Sequence, residues 1–177
     1  MTNEILYILL PDFAAHEVVY LAQAIASDEY ALKENPKYVN KVVAPTLVPV
    51  KSIGGFGWST PVAKQVVPIV RKAIDEGKTV GAICNAASWM AKQGFLNAVK
   101  HTGNGLDQLK IWGGDNYTNP EGYIHTQAVS DNRIVTANGS ATLEFAKELL
   151  TLLENDTPER IEMYYQFNKQ GFCSLFQ

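Results

Sequence analysis

Residues 80–94 read VGAICNAASWMAKQG, and the position of Cys84 within them decides how the chain is understood. Lys78 to Ile83 has the length and apolar character of a buried strand, and Asn85 to Gln93 reads as a helix stopped by Gly94. A cysteine at that junction has two possible roles. It can be a core thiol, because free cysteine packs as a small hydrophobe. It can also be a nucleophile held on a sharp strand-to-helix turn, which needs small neighbours such as Ala82, Ala86 and Ala87. In the second role the free N–H groups and positive end of the helix face the sulfur and are expected to lower its pKa.

Outward from this stretch, apolar runs and helical periodicities alternate. Ile5 to Leu10 (ILYILL) is a continuous apolar run ended by Pro11 and Asp12, as expected of a strand covered on both faces. Ala15, Val18, Val19, Ala22 and Ile25 recur at helical spacing, giving a helix over roughly 14–27. A second strand is expected near Val42 and Val43, followed by the glycine-rich turn PVKSIGGFGW. Thr60-Pro61 starts another helix that ends at Gly77, with a kink expected at Pro68. The segment 101–123 reads as loop. Two strands, Ile124 to Val129 and Arg133 to Ala137, are joined by the turn SDN. Ser140 is expected to cap a helix to about Leu153, and Thr157-Pro158 starts the last one. Strand and helix in alternation predict an α/β fold, a mostly parallel sheet with helices on both faces, built as one domain over residues 1–177.

The bulk numbers exclude several classes. With 46% hydrophobic and 19% charged residues, the chain can bury one sizeable core. Its formal net charge is −3 and its basic residues are scattered, which argues against nucleic acid and acidic membrane surfaces as partners. No apolar run approaches a membrane span. The opening MTNEILYILLPD lacks a basic flank and reads as a first strand rather than a signal peptide. Cys84 and Cys173 lie in unlike contexts and make no disulfide framework, so a cytoplasmic protein is expected. No Cys/His/carboxylate spacing points to a metal, no glycine pair carries a phosphate-loop lysine, and no cofactor is expected. His16 and His125 are isolated; Trp58, Trp89 and Trp112 read as packing, and so does Cys173 in the aromatic tail GFCSLFQ. That tail and IEMYYQFN before it are expected to cover the body or a second subunit, and a homodimer is the expectation.

Several segments, taken in order, resemble the ThiJ/PfpI superfamily, whose members share a class I glutamine amidotransferase-like fold. AICNAASWMAKQGFLN is similar to the nucleophile segment, and ILLPDFAAHEVVYLAQAI to the opening strand and first helix, which carries a glutamate. SIGGF resembles the turn after the second strand, and HTGN and VTANGSATLEFAKELL the later strand and large helix. The likeness covers nearly the whole chain and is nearest to the bacterial branch of intracellular proteases or amidases. It implies a flavodoxin-like three-layer sandwich with Cys84 as nucleophile and Glu17 beside it. By itself Glu17 reads as an exposed helix glutamate, but it follows Asp12 by five residues, within the first turns past the first strand. Beside a thiolate its carboxyl would stay protonated and donate to sulfur.

Two departures from that family bear on chemistry. Where many members place a histidine two residues past a threonine, VKHTGN here puts Asn104, with His101 three residues earlier. Asn104 is then a candidate to orient substrate or water, and His101 a candidate that would have to swing toward the thiol. SIGGF also runs directly into GWSTPVAKQ, without the strand and glycine loop that supply an oxyanion-hole amide. A stretch missing from between Phe56 and Gly57 is expected, because losing a buried strand would expose its neighbours' edges. The expected function is a cysteine-dependent enzyme on a small-molecule substrate, amidase- or protease-like, or glyoxalase- or deglycase-like. Cys84 would attack, Glu17 would relay a proton and the Asn85 backbone amide would stabilise an oxyanion. The alternatives are a redox sensor working through Cys84 oxidation and a non-catalytic relative.

Overall fold

Successive side chains of the strands feed two cores on opposite faces. The computed structural model describes residues 3–30, 37–44 and 55–175. β1 (Asn3–Ile8) pairs in parallel with β2 (Tyr38–Val43). β3 (Val80–Ile83) pairs in parallel with β5 (Ile134–Ala137), which also holds β4 (Ala128–Asp131) antiparallel. Successive strand residues face opposite ways. Ala82 and Ile134, with Leu10 just past β1, enter a core shared with α2 (Val67–Asp75), α3 (Asn85–Lys92) and α4 (Leu106–Gly113). Tyr7, Ile83 and Val135 enter the other, with α1 (Val19–Tyr30) and α5 (Thr142–Leu152). Helices therefore cover both faces in an α/β sandwich.

The sheet departs from expectation at its centre. Among the described residues no strand links β1 to β3, so the strands form a pair, β1-β2, and a triplet, β3-β5-β4. Phe56 and Gly57 are consecutive in one continuous 3₁₀ helix, Gly55–Ser59, so the stretch expected between them does not intervene. That helix packs against the end of β1 instead. A Cβ on Gly57 would lie 2.2 Å from the Pro11 carbonyl oxygen and 2.7 Å from the Leu10 Cβ, so only glycine allows this approach. Residues 49–54 of the glycine-rich turn lie outside the described residues, as do 31–36 of the polar stretch after α1.

Other differences have local causes. The helix from Pro61 begins as 3₁₀ (Pro61–Val66) and becomes α only at Val67. Pro68 therefore falls in the first turn of α2, where its missing N–H costs nothing, and not at an interior kink. α4 occupies part of the segment read as loop. Ser140 does not cap α5; its hydroxyl donates to Asn138 Oδ1 at 2.6 Å, and Ala141 stands at the cap position. The hairpin between β4 and β5 turns on Asn132 and Arg133, both at positive φ. α6 (Pro158–Gln170) starts at Thr157, whose hydroxyl accepts from the Arg160 N–H, and docks on its own body through Tyr164, whose hydroxyl donates to the Tyr20 carbonyl. Met163, Phe167 and Phe172, the last in α7 (Phe172–Leu175), stay exposed. Among the described residues no helix is long and apolar enough to cross a membrane.

The Gly57 contact makes the junction of the two strand groups sensitive to a single methyl. Gly57→Ala should lower the unfolding free energy by about 1–3 kcal/mol, the usual cost of overpacking. Urea denaturation measures it, and a midpoint unchanged from wild type would remove the wedge from the account.

Candidate active site

β3 ends at Ile83, and the chain turns into α3 through a residue whose backbone is unusual. Cys84 sits at φ 58° and ψ −126°, a conformation that L-residues adopt only under constraint. Three hydrogen bonds impose it. The Cys84 N–H donates to the Ala137 carbonyl of β5 at 3.0 Å, and the Cys84 carbonyl accepts from Ala87 and Ser88 at 3.1 and 3.4 Å. Pinned at both ends, the side chain projects beyond the carboxyl end of β3.

Three groups meet its sulfur. Glu17, 8% exposed, lies in the 3₁₀ turn Ala15–Val18 that follows β1, and its carboxyl hydrogen-bonds to the thiol. The Asn85 backbone N–H is aimed at the sulfur from the start of α3. Asn104 Nδ2 donates to it at 3.4 Å, while Asn104 Oδ1 accepts from the Gly139 N–H at 2.9 Å. That second bond fixes which end of the Asn104 amide faces Cys84. Gly139 also makes room: a Cβ there would stand 2.9 Å from the sulfur. The Asn85 side chain braces the turn, accepting from Gln108 of α4 at 2.9 Å and donating to the Gly55 carbonyl at 3.1 Å.

The electrostatics correct one expectation. Burial pushes the Cys84 thiol up, and Glu17 adds to the rise through its hydrogen bond and charge; the Asn104 and Asn85 donors oppose it without prevailing. The short helix does not make this an acidic thiol. Burial likewise pushes the Glu17 carboxyl up, against the lowering effects of its bond to Cys84 and of His16. Each group resists being charged in a half-dry site.

His101 does not join the cluster. It is fully buried, with Nδ1 2.8 Å from the Val99 carbonyl and Nε2 2.6 Å from the Tyr117 hydroxyl. A carbonyl can only accept, so Nδ1 carries the proton and Nε2 accepts from Tyr117 in the neutral ring. Burial pulls its pKa down, in keeping with that form. Held at both nitrogens, the imidazole cannot swing to the thiol. It anchors instead. His101 exchanges backbone bonds with Gly122 and Ile124, and next to it the Thr102 N–H donates to Thr136 Oγ1 of β5. Those contacts deliver Asn104 to the sulfur. Gly139 and Gln108 were not singled out from sequence; the position of NGS just past the end of the strand beside β3 is the signal that marks Gly139.

With this geometry in place, comparison with known proteins is informative. The DJ-1/PfpI family model matches residues 38–152. The uncharacterized protease YdeA of Bacillus subtilis is 32% identical over 183 residues, covering 94% of this chain and 91% of the relative. That alignment is longer than the 177 residues of this chain, so the relative has residues without a counterpart here. The uncharacterized protease YoaZ of the same organism is 38% identical over 116 residues, 66% of this chain and 55% of the relative. Among solved structures, a thiJ/pfpI family protein from Bacillus anthracis matches with a TM-score of 0.78 at 26% identity, covering 96% of this chain and 91% of its own. A DJ-1 superfamily protein from Agrobacterium tumefaciens matches with a TM-score of 0.78 at 28% identity, covering 96% and 99%.

Two outcomes follow from the site's electrostatics. Glu17→Gln removes a carboxylate that raises the thiol pKa, so iodoacetamide should alkylate Cys84 several-fold faster at pH 7, with the midpoint of the rate profile moved to lower pH. A slower rate would mean that Glu17 does not hold the thiol proton in place. His101→Phe should cost roughly 1–3 kcal/mol by leaving the buried Tyr117 hydroxyl without its partner, while the Val99 carbonyl keeps the Asn119 donor. Because the folded state disfavours imidazolium, the stability supplied by neutral His101 is lost as pH falls below the unfolded value near 6.5. The wild-type advantage over His101→Phe in chemical denaturation should therefore be larger at pH 7 than at pH 5; a pH-independent difference would contradict the neutral ring.

Proposed function

The chain belongs to the DJ-1/PfpI family, and from that premise we propose that it is a cysteine-dependent enzyme acting on the carbonyl carbon of a small molecule. The observation that carries this is the convergence on one constrained sulfur of a carboxyl (Glu17), an amide donor (Asn104) and a backbone N–H (Asn85). Attack begins from the form in which Cys84 is thiolate and Glu17 holds the proton. An S–C bond forms and the carbonyl π electrons move to oxygen, which the Asn85 N–H is placed to stabilise. With an aldehyde, the Glu17 proton passes to that oxygen and leaves a hemithioacetal and a carboxylate; in a 2-oxoaldehyde that carboxylate then moves the hydrogen of the attacked carbon, as a proton, to the neighbouring carbon and gives a thioester. With an amide, the same proton goes to the departing nitrogen as the C–N bond breaks. Glu17 then takes a proton from the water that hydrolyses the thioester and frees the thiol. The names of the Bacillus subtilis relatives favour the amide route. The absence of an imidazole from the sulfur's neighbours favours the aldehyde, whose addition expels no nitrogen that must be protonated.

A second role draws on that same absence. With donors at the sulfur and no imidazole beside it, Cys84 suits a peroxide sensor in which Glu17 donates to a sulfinate oxygen. The test is turnover of a chromogenic anilide and a small 2-oxoaldehyde. Cys84→Ser should abolish the reaction by roughly a hundredfold or more, and Glu17→Gln should slow it about tenfold even while speeding alkylation, because the proton donor is gone. Turnover that survives Cys84→Ser rejects the proposal. Absence of turnover, together with a mass gain of two oxygens at Cys84 under dilute peroxide, transfers the site to the sensor.

A further inference from the structure

One cavity adjoins the thiol cluster and has no part in the chemistry above. It has a volume of about 600 Å³ and shares Asn104 and Gly139 with the surroundings of Cys84. Its remaining polar walls come from Tyr123, His125, Thr126, Gln127, Asn138 and Ser140. No carboxylate, ammonium or guanidinium lines it. The polar groups are already ordered into a strip that runs away from the sulfur. The Ser140 hydroxyl donates to Asn138 Oδ1, Asn138 Nδ2 donates to Gln127 Oε1, and the Asn138 N–H donates to the Gln127 carbonyl at 3.2 Å. Facing it, the Tyr123 hydroxyl lies 3.3 Å from His125 Nδ1, with the two rings 6.4 Å apart.

These walls select by exclusion. A charged ligand would meet no opposite charge. A purely apolar ligand would leave the free donor and acceptor positions of the strip covered without gaining a bond. A ligand with several neutral hydroxyls can exchange bonds with the strip and lay a flat face on Tyr123, and the volume falls in the range of small-molecule sites. We propose that this cavity is the recognition pocket of the Cys84 site and that it takes a neutral, polyhydroxylated group of sugar size, placing a carbonyl of the same molecule at the sulfur. The proposal rests on Cys84 being the reacting thiol. Gln127 and Ser140 are then specificity-determining residues, and His125, not His101, is the imidazole that faces substrate.

The test compares three probes with no reactive carbonyl: methyl β-D-glucoside, its carboxylate counterpart methyl β-D-glucuronide, and cyclohexanol. Iodoacetamide labelling followed by peptide mapping reads Cys84, with the exposed Cys173 as control in the same molecule. The glucoside should slow Cys84 labelling saturably by about threefold or more and leave Cys173 unchanged. The other two probes should protect far less. Protection, taken as the ratio of rates with and without glucoside within each variant, should fall to near one in Gln127→Leu and in Ser140→Ala. Equal protection by the glucuronide, none by any probe, or full protection in both variants would overturn the pocket. Saturation-transfer NMR with the glucoside separates the two levels. Binding in a protein that fails the carbonyl assay keeps the pocket and rejects the nucleophile; turnover without glucoside binding does the reverse.

Discussion

The site depends on a single backbone constraint, the left-handed turn at Cys84. Such a conformation costs of order 1–3 kcal/mol in a residue with a Cβ and persists only where its surroundings over-determine it. Here the over-determination is specific. β5 holds the Cys84 N–H from below, and the first turn of α3 holds its carbonyl from above. Ala86 and Ala87 let α3 sit close, and Gly139 leaves the space that the sulfur fills. Relaxing the turn would break the last bond of the β3–β5 ladder and the first bonds of α3 together. The thiol therefore projects in one direction, and every group that reaches it is placed relative to that direction.

The shortened chain after β2 shows how little of a sheet is needed to keep this arrangement. Among the described residues β1 and β3 share no hydrogen bonds, yet Glu17 past β1 and Cys84 past β3 meet. Packing substitutes for pairing. Tyr7 from β1 and Ile83 from β3 belong to one core, and Leu10 and Ala82 belong to the other, so both faces tie the two strand groups together. The 3₁₀ helix Gly55–Ser59 lies at this junction, with Gly57 against Pro11 and the Gly55 carbonyl held by Asn85. Hydrophobic burial is non-directional, so it can hold two sheet fragments in place without dictating the register between them.

What the sequence revealed and what it hid divide along the range of the interactions. β1, β3 and α3 were readable because apolar runs and turn residues are local signals, and so was the start of α6 at Thr157-Pro158; the β4–β5 hairpin was legible only in kind, since the expected strand 124–129 and turn SDN are displaced to Ala128–Asp131 and to Asn132-Arg133. α4 was hidden because Gly103, Gly105, Gly113 and Gly114 surround it and read as loop, although Leu109 is fully buried. The 3₁₀ run Pro61–Val66 was hidden because its apolar spacing also fits an α-helix. At the site, Cys84 and Asn85 follow from one junction, whereas Glu17 and Asn104 came only through likeness to a family. His101 and Gly139 were misjudged or missed because their roles depend on partners far along the chain. No local pattern announces that Tyr117 will hold the His101 ring, or that Asn104 will turn its oxygen toward Gly139.

The balance at the sulfur links this geometry to reactivity. An acidic thiolate would be the outcome if the end of α3 acted alone, but burial prevails at Cys84 and is joined by a buried carboxyl that itself resists ionisation. With both groups pushed up, the protein avoids placing two negative charges in one half-dry space, and the pair holds a proton between them. Asn104 and the Asn85 N–H weigh on one side of that balance, because both can donate to a charged sulfur and neither can accept from a neutral thiol. Gly139 enters here through Asn104: with the amide reversed, an oxygen would face the sulfur and favour the thiol. In the proposed chemistry, a sulfur with no imidazole beside it can thus still have its proton moved, since the carboxyl that suppresses the resting thiolate would also be the acid that completes its addition to a carbonyl.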